Sequence, residues 1–161
     1  MMVSACLAGV RCVYDGTHNA REPIVRMHQA KRVLLFCPEM LGGMKVPHPP
    51  SEIRGGSGAD VWKGRASVVS KDGQDVTEYF LKGAKAVLEL ALENNIRQAV
   101  LKAKSPSCGC GLIFDGTFTG TLIPGDGVAT ALLKENGIAV VSDVEFLRDT
   151  PNGPWSASND K

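Results

Sequence analysis

Cys6, Cys37 and Cys108 each stand at or just past the end of a short apolar run, in "MMVSACL", "RVLLFCPEM" and "QAVLKAKSPSCGCG". A thiolate is a soft ligand that suits zinc or an iron–sulfur cluster. The wide spacing of the three matches neither a compact ferredoxin run nor a zinc pattern built from CxxC pairs. Three buried structural thiols are the bland alternative. Local context argues against it: Cys37 is followed by Pro38 and Glu39, and Cys108 is preceded by Pro106 and followed by Gly109, so the backbone must turn at both. If the three thiolates held a four-iron cube, one iron would lack a protein ligand and could act as a Lewis acid toward a substrate atom. Electron carriers usually close all four positions, so an open iron points to substrate chemistry.

Polar groups lie beside two of these cysteines. Glu39, two residues past Cys37, is placed to shuttle protons, and Ser105 and Ser107, on either side of Pro106, to hold a substrate or a water. Without the cysteines, they would read as a solvated glutamate and turn-forming serines. Lys104 could hold an anionic substrate. The spare thiols, Cys12 and Cys110, are read as inert neighbours, Cys110 pointing away from Cys108 if the backbone between them is extended. His18, His28 and His48 have no helical pair spacing with another ligand, and Asp15-Gly16 and Asp115-Gly116 are turn formers. "PGDG", residues 124–127, opens a helix and could meet an anion, but it lacks the GxGxxG spacing of a dinucleotide site.

These residues need elements to position them. Met2–Ala5, Val33–Phe36, "QAVLKA" and Ile138–Val141 read as strands, the second as a continuous apolar run of the kind buried on both faces. A short helix is expected over Glu22–Lys31. A longer one should start at Asp75, with Glu78 completing a capping box, and run to Asn94 with Val76, Tyr79, Phe80, Ala84, Val87, Leu88, Ala91 and Leu92 on one face. Another should span Gly127–Asn136, capped by Asp126 and ended by Gly137. "ASVVS" suggests a short strand and "FDGTFTGTLIPGDG" a hairpin. Leu41–Gly58, dense in Gly and Pro, reads as one long functional loop. Strands alternating with helices predict an α/β, Rossmann-like three-layer domain with a mainly parallel sheet. Its cysteines would gather at the carboxyl ends of the strands, where such sheets bind ligands.

The bulk numbers bound the function. The 161 residues fit one domain, taken as 1–148, with 149–161 a flexible tail. With 18 basic and 17 acidic residues and no basic run, long nucleic acid is an unlikely partner. There is no apolar run of membrane-spanning length and no signal-like N-terminus. Five cysteines, an odd number, fit thiols or metal ligands in a reducing cytoplasm better than a disulfide framework.

"VSACLAGVRCVYDG", "CPEMLGG", "PHPPSEIRGG", "DVTEYFLKGA", "KSPSCG" and "DGTFTGTLIPGDGVATALLKENGI" together resemble the bacterial and archaeal family that contains the thiouracil desulfurases, from Val3 to about Val141. The resemblance implies a [4Fe-4S] cluster held by Cys6, Cys37 and Cys108, with the fourth iron free to take sulfur from a thiolated nucleobase. It implies a non-redox desulfuration of a 2-thiouracil-like small molecule, giving the oxo base and sulfide, helped by Glu39 and Ser105. His48 departs from the Arg that many relatives carry there, and Cys110 from a small or apolar residue. The second domain of longer relatives is absent, so activity is expected from this domain alone. The alternatives are an iron–sulfur or zinc module for sensing or metal delivery without turnover, and a plain α/β domain binding a nucleotide or phosphate at "PGDG".

Overall fold

The computed structural model describes residues 1–150. The chain runs β1 (Met2–Ser4), a 3₁₀ turn (Ala5–Ala8), α1 (Glu22–Gln29), β2 (Leu34–Phe36), α2 (Pro38–Leu41), β3 (Ser51–Arg54), α3 (Gly58–Trp62), β4 (Ser67–Ser70), α4 (Thr77–Glu93), β5 (Gln98–Leu101), β6 (Leu112–Phe114), β7 (Leu122–Pro124), α5 (Val128–Glu135), β8 (Ala139–Ser142) and α6 (Asp143–Asp149).

Met2 and Val3 are both fully buried, yet they belong to different hydrophobic clusters, because neighbours on a strand face opposite sides. The same division holds along β5, where Ala99 and Leu101 face one way and Val100 the other. The four strands β2-β1-β5-β8 form a parallel sheet in that order. On one side Met2, Phe36, Leu101 and Val140 pack against Val87 and Ala91 of α4 and Leu133 of α5. On the other, Val3 and Val100 pack with Leu7 and Ile24, with Phe146 of α6 against them. The expected three-layer α/β architecture is therefore present.

Two antiparallel hairpins, β3-β4 and β6-β7, stand outside this sheet. They are joined to it by a third cluster in which Ile53, Val68 and Ile113 meet Phe80 and Ala84 of α4 and Val128 and Ala129 of α5. Burying a side chain as large as Phe80, which has no exposed surface, stabilises by about 1.5–3 kcal/mol. The helices that cover the sheet thus also fasten the hairpins.

Several expectations change. Leu41–Gly58 is not one loop: it contains β3, which its own composition hides because pairing with β4 creates the strand (Ser51↔Ser70 through Arg54↔Ser67). Asp75 accepts from the Thr77 amide at 2.9 Å, but α4 begins after Val76 with no side-chain cap, so no capping box forms. Asp126 does not cap α5; Gly127 is the N-cap residue, and the Asp126 carboxylate instead receives the Gly111 amide and Lys134. β1 stops at Ser4, which leaves Cys6 in the 3₁₀ turn. Helix α6 was not expected. It starts where Ser142 Oγ accepts the Glu145 amide and takes up the first residue of the expected tail, Asp149; residues 151–161 of that tail lie outside the described residues.

Candidate active site

Each of the three cysteines is held by backbone that has no freedom to drift. Cys6 sits in the turn that follows β1, one side of it covered by the sheet cluster. Cys37 is the N-cap residue of α2, and α2 crosses α4 at two glycines. A Cβ on Gly42 would stand 2.0 Å from the Tyr79 carbonyl oxygen, and one on Gly83 would stand 1.9 Å from that of Pro38. Only glycine permits this approach, which fixes the turn carrying Cys37 and Glu39 against α4.

Cys108 is fixed by the start of α5. The first amides of a helix have no partner within it, and here the preceding loop supplies the acceptors. Gly127 N–H donates to Gly109 O at 2.8 Å, Val128 N–H to Pro106 O at 2.8 Å and Ala129 N–H to Ser107 O at 2.9 Å. Thr130 Oγ1 adds a bond to Cys108 O at 3.0 Å. These amides are spent on the loop, so "PGDG" has no free helix start to offer an anion. The loop's other end is tied by Asp143, a carboxylate with no exposed surface, which accepts from the Ala103 amide at 2.8 Å and from Arg21 Nε at 3.0 Å.

The three cysteines, with Cys12, Glu39, His48, Lys102, Lys104, Ser105 and Ser107, line one cavity of about 620 Å³ at the carboxyl edge of the sheet. The sequence-derived set Cys6, Cys37, Cys108, Glu39 and Ser105 is brought together there. Cys110 is not in its wall; its Sγ lies 3.5 Å from Val140 O, packed against the same cluster that holds Cys108, and the backbone between the two turns and is not extended.

Cys12 has a more central place than the inert reading gave it. It is buried, it lines the cavity, and its thiol is within hydrogen-bonding reach of both Cys6 and Cys37. Its pKa is pushed up by the neighbouring Cys37 and Cys6 thiols and by burial. The same contact draws the other two down, helped at Cys37 by the Met40 and Glu39 amides at the start of α2, to about 7 for Cys37. Cys108 moves the opposite way because burial penalises its thiolate. Nothing in "GVRCVYDG" distinguishes Cys12 from a packing cysteine; only the return of this loop to the strand ends does.

The polar groups are oriented as well. Ser105 Oγ accepts the amides of Ser107 and Cys108, both at 3.1 Å, which occupies its lone pairs and leaves its hydroxyl hydrogen to donate. His48 Nδ1 lies 2.9 Å from the Pro49 carbonyl; a carbonyl only accepts, so Nδ1 carries hydrogen. Nε2 then faces Glu39 Oε2 at 3.2 Å, an ion-pair distance without hydrogen-bond alignment. The Glu39 carboxylate raises the pKa of His48 above its ordinary value. A carboxylate and an imidazole that favours its proton thus form a pair in the wall beside the thiols. His48 carried no assigned role from sequence.

Among the described residues no three His, Cys, Asp or Glu side chains stand close enough to chelate one metal ion, and no helix is long and apolar enough to cross a membrane. Three thiols at one cavity are a soft donor set, whose chemistry suits an iron–sulfur cluster.

An α/β domain with a thiol-lined cavity at the carboxyl edge of a parallel sheet is the class defined by this geometry. The chain belongs to the 2-thiouracil desulfurase family, whose model matches residues 1–145. It is 46% identical over 146 residues to the uncharacterized protein YbbK of Bacillus subtilis, covering 91% of this chain and 97% of YbbK. It is similar to the solved structure of the [4Fe-4S]-dependent thiouracil desulfidase TudS, with a TM-score of 0.80 and 40% identity over 92% of this chain and 93% of that one.

Proposed function

We propose that the chain hydrolyses the carbon–sulfur bond of a thiolated nucleobase of the 2-thiouracil kind, giving the oxo base and sulfide without net redox change. Cys6, Cys37 and Cys108 would hold a [4Fe-4S] cluster, one iron of which has no protein ligand. The observation that carries this reading is that three sequence-distant thiols and a paired carboxylate line a single cavity. When bound, the cluster supplies a thiophilic Lewis acid that polarises a thiocarbonyl.

The chain's own groups do the rest. Glu39 takes a proton from the water that attacks the thiocarbonyl carbon, and His48, held through Nδ1 by Pro49, keeps the carboxylate in place and shares that proton. Ser105, its lone pairs occupied by two amides, donates its hydroxyl hydrogen to the substrate. Cys12 steadies the Cys6 and Cys37 sulfurs from the side. The same reading takes residues 1–148 as one domain acting in a reducing cytoplasm, where such thiols persist.

The test is anaerobic. Protein with a reconstituted cluster should release sulfide from 2-thiouracil, and Cys108→Ser should abolish both cluster retention and release. A stable cluster with no sulfide from any thiolated base would overturn the enzyme reading and leave a sensing or delivery module; zinc without acid-labile sulfide would overturn the cluster.

A further inference from the structure

The cavity wall also contains an aromatic residue that the core does not claim. Phe118 lies near the tip of the β6-β7 hairpin, half-buried between exposed Thr117 and Thr119. It lines the cavity and is absent from all three hydrophobic clusters of the described residues. Its φ is +57°, a conformation that bulky side chains avoid and that persists only where the surroundings enforce it.

The enforcement comes from β3. Glu52, 8% exposed, accepts at one carboxylate oxygen from the Gly116 amide at 3.0 Å and from the Phe118 amide at 3.2 Å. Arg54, on the same face of the strand, donates to the Gly116 carbonyl at 3.3 Å. Gly116 itself, at φ +91°, is so close to β3 that a Cβ would stand 2.6 Å from the Ile53 oxygen. A buried carboxylate spent on two backbone amides holds this turn firmly against β3. Next to Glu52, the Ser51 hydroxyl is buried in the cavity wall with no hydrogen-bond partner among the described residues.

We propose that Phe118 is a substrate-binding residue that stacks on the planar ring of the thiolated base, and that Glu52 and Arg54 are positioning residues that present it. Ser51 supplies a directional hydrogen bond at the ring edge. The proposal rests on the desulfurase reading for the identity of the ligand, and every base offers a flat face to an aromatic side chain.

The experiment measures binding separately from turnover, using cluster-loaded protein under anaerobic conditions with 2-thiouracil and with uracil as probes. Calorimetry with Phe118→Ala should show Kd weakened about tenfold, and steady-state kinetics should show KM raised in step with kcat little changed. Phe118→Tyr should restore both. Glu52→Ala should copy Phe118→Ala, whereas Glu52→Gln, whose amide oxygen still accepts both backbone bonds, should behave as wild type. Iron content and thermal midpoint certify each variant, and Phe118→Leu, which keeps the bulk without the aromatic face, replaces Phe118→Ala if that variant does not fold. Unchanged Kd in the Phe118 variants overturns the proposal, as does a Glu52→Gln variant that loses kcat while binding normally, since Glu52 would then move protons. Wild-type protein that binds both bases through Phe118 but releases no sulfide refutes the reaction and not the stacking; turnover with a Phe118-independent KM refutes the stacking and not the reaction.

Discussion

The sheet edge and the hairpin wall enclose the same cavity but hold their side chains by different means. At the sheet edge, Cys6, Cys37 and Cys108 are positioned mainly by backbone: a turn directly after a buried strand, a glycine crossing, and loop carbonyls bonded to helix amides, with Asp143 and Thr130 adding side-chain bonds to the Cys108 loop. In the hairpin wall, the cavity-facing residues are positioned by side chains, chiefly Glu52 and Arg54 bridging from β3 to a turn. Backbone anchoring survives most substitutions nearby, whereas a side-chain clamp is lost with one. The proposed ligand set thus sits on the wall less exposed to single substitutions, and the proposed substrate contact on the wall that one substitution can alter.

Substitutions can break or sharpen that contrast. The largest expected effect is at Glu39: Glu39→Gln should retain iron, because the backbone still holds Cys37, while kcat falls by about 10²–10⁴. Iron lost along with activity would show that the sheet edge depends on side chains after all. Next is Asp143→Ala, which strips the Ala103 amide and Arg21 of a buried partner. It should destabilise by about 3 kcal/mol, read from the midpoint of urea unfolding at constant slope. A change within noise would mean that Asp143 does not anchor the loop.

A smaller effect is expected at His48. Glu39 raises its folded pKa above the ordinary value, so in the metal-free protein the stabilisation is complete below about pH 6.5 and is lost as pH rises through the raised value. His48→Gln should therefore lower stability more at about pH 5.5 than at about pH 9, by on the order of 1 kcal/mol or less. A deficit that grows with pH would reverse the assignment of the proton. The smallest effect belongs to Cys110→Ser, with iron content and sulfide release unchanged, because its sulfur is turned toward Val140. Loss of iron there would place a fourth thiol in the ligand set.

Much of the sheet-edge wall was legible in the sequence. The continuous apolar runs at Met2–Val3, Leu34–Phe36 and Ala99–Leu101 announce buried parallel strands, and residues just past such strands must lie at one edge. Cys37 and Cys108 could therefore be placed near Glu39 and Ser105 without coordinates. The hairpin wall was not legible to the same degree. β3 carries a single buried apolar residue, Ile53, flanked by Glu52 and Arg54, which is too little periodicity to mark a strand; its existence depends on β4. Phe118 within "GTFTG" reads as a residue in a turn, because the carboxylate that claims its amide is 66 positions away.

The caps show the same limit at shorter range. Asp75 and Asp126 are in the right places to cap α4 and α5, yet Asp126 bonds Gly111 and Lys134 instead, and the loop from Pro106 to Gly109 supplies the acceptors for α5. Propensity describes what a residue can do locally, and tertiary bonds decide among the options.

The sequence by itself determined the strand cores, the α/β class and which cysteines stand just past the strands, because burial period is a property of residue type and neighbour. Only the tertiary structure decided that Cys12 lies beside Cys6 and Cys37, that His48 meets Glu39, and that Glu52 holds the Phe118 amide at the same cavity. Each of these is a contact between segments distant in the chain, set by which loops the packed helices bring to the end of the sheet.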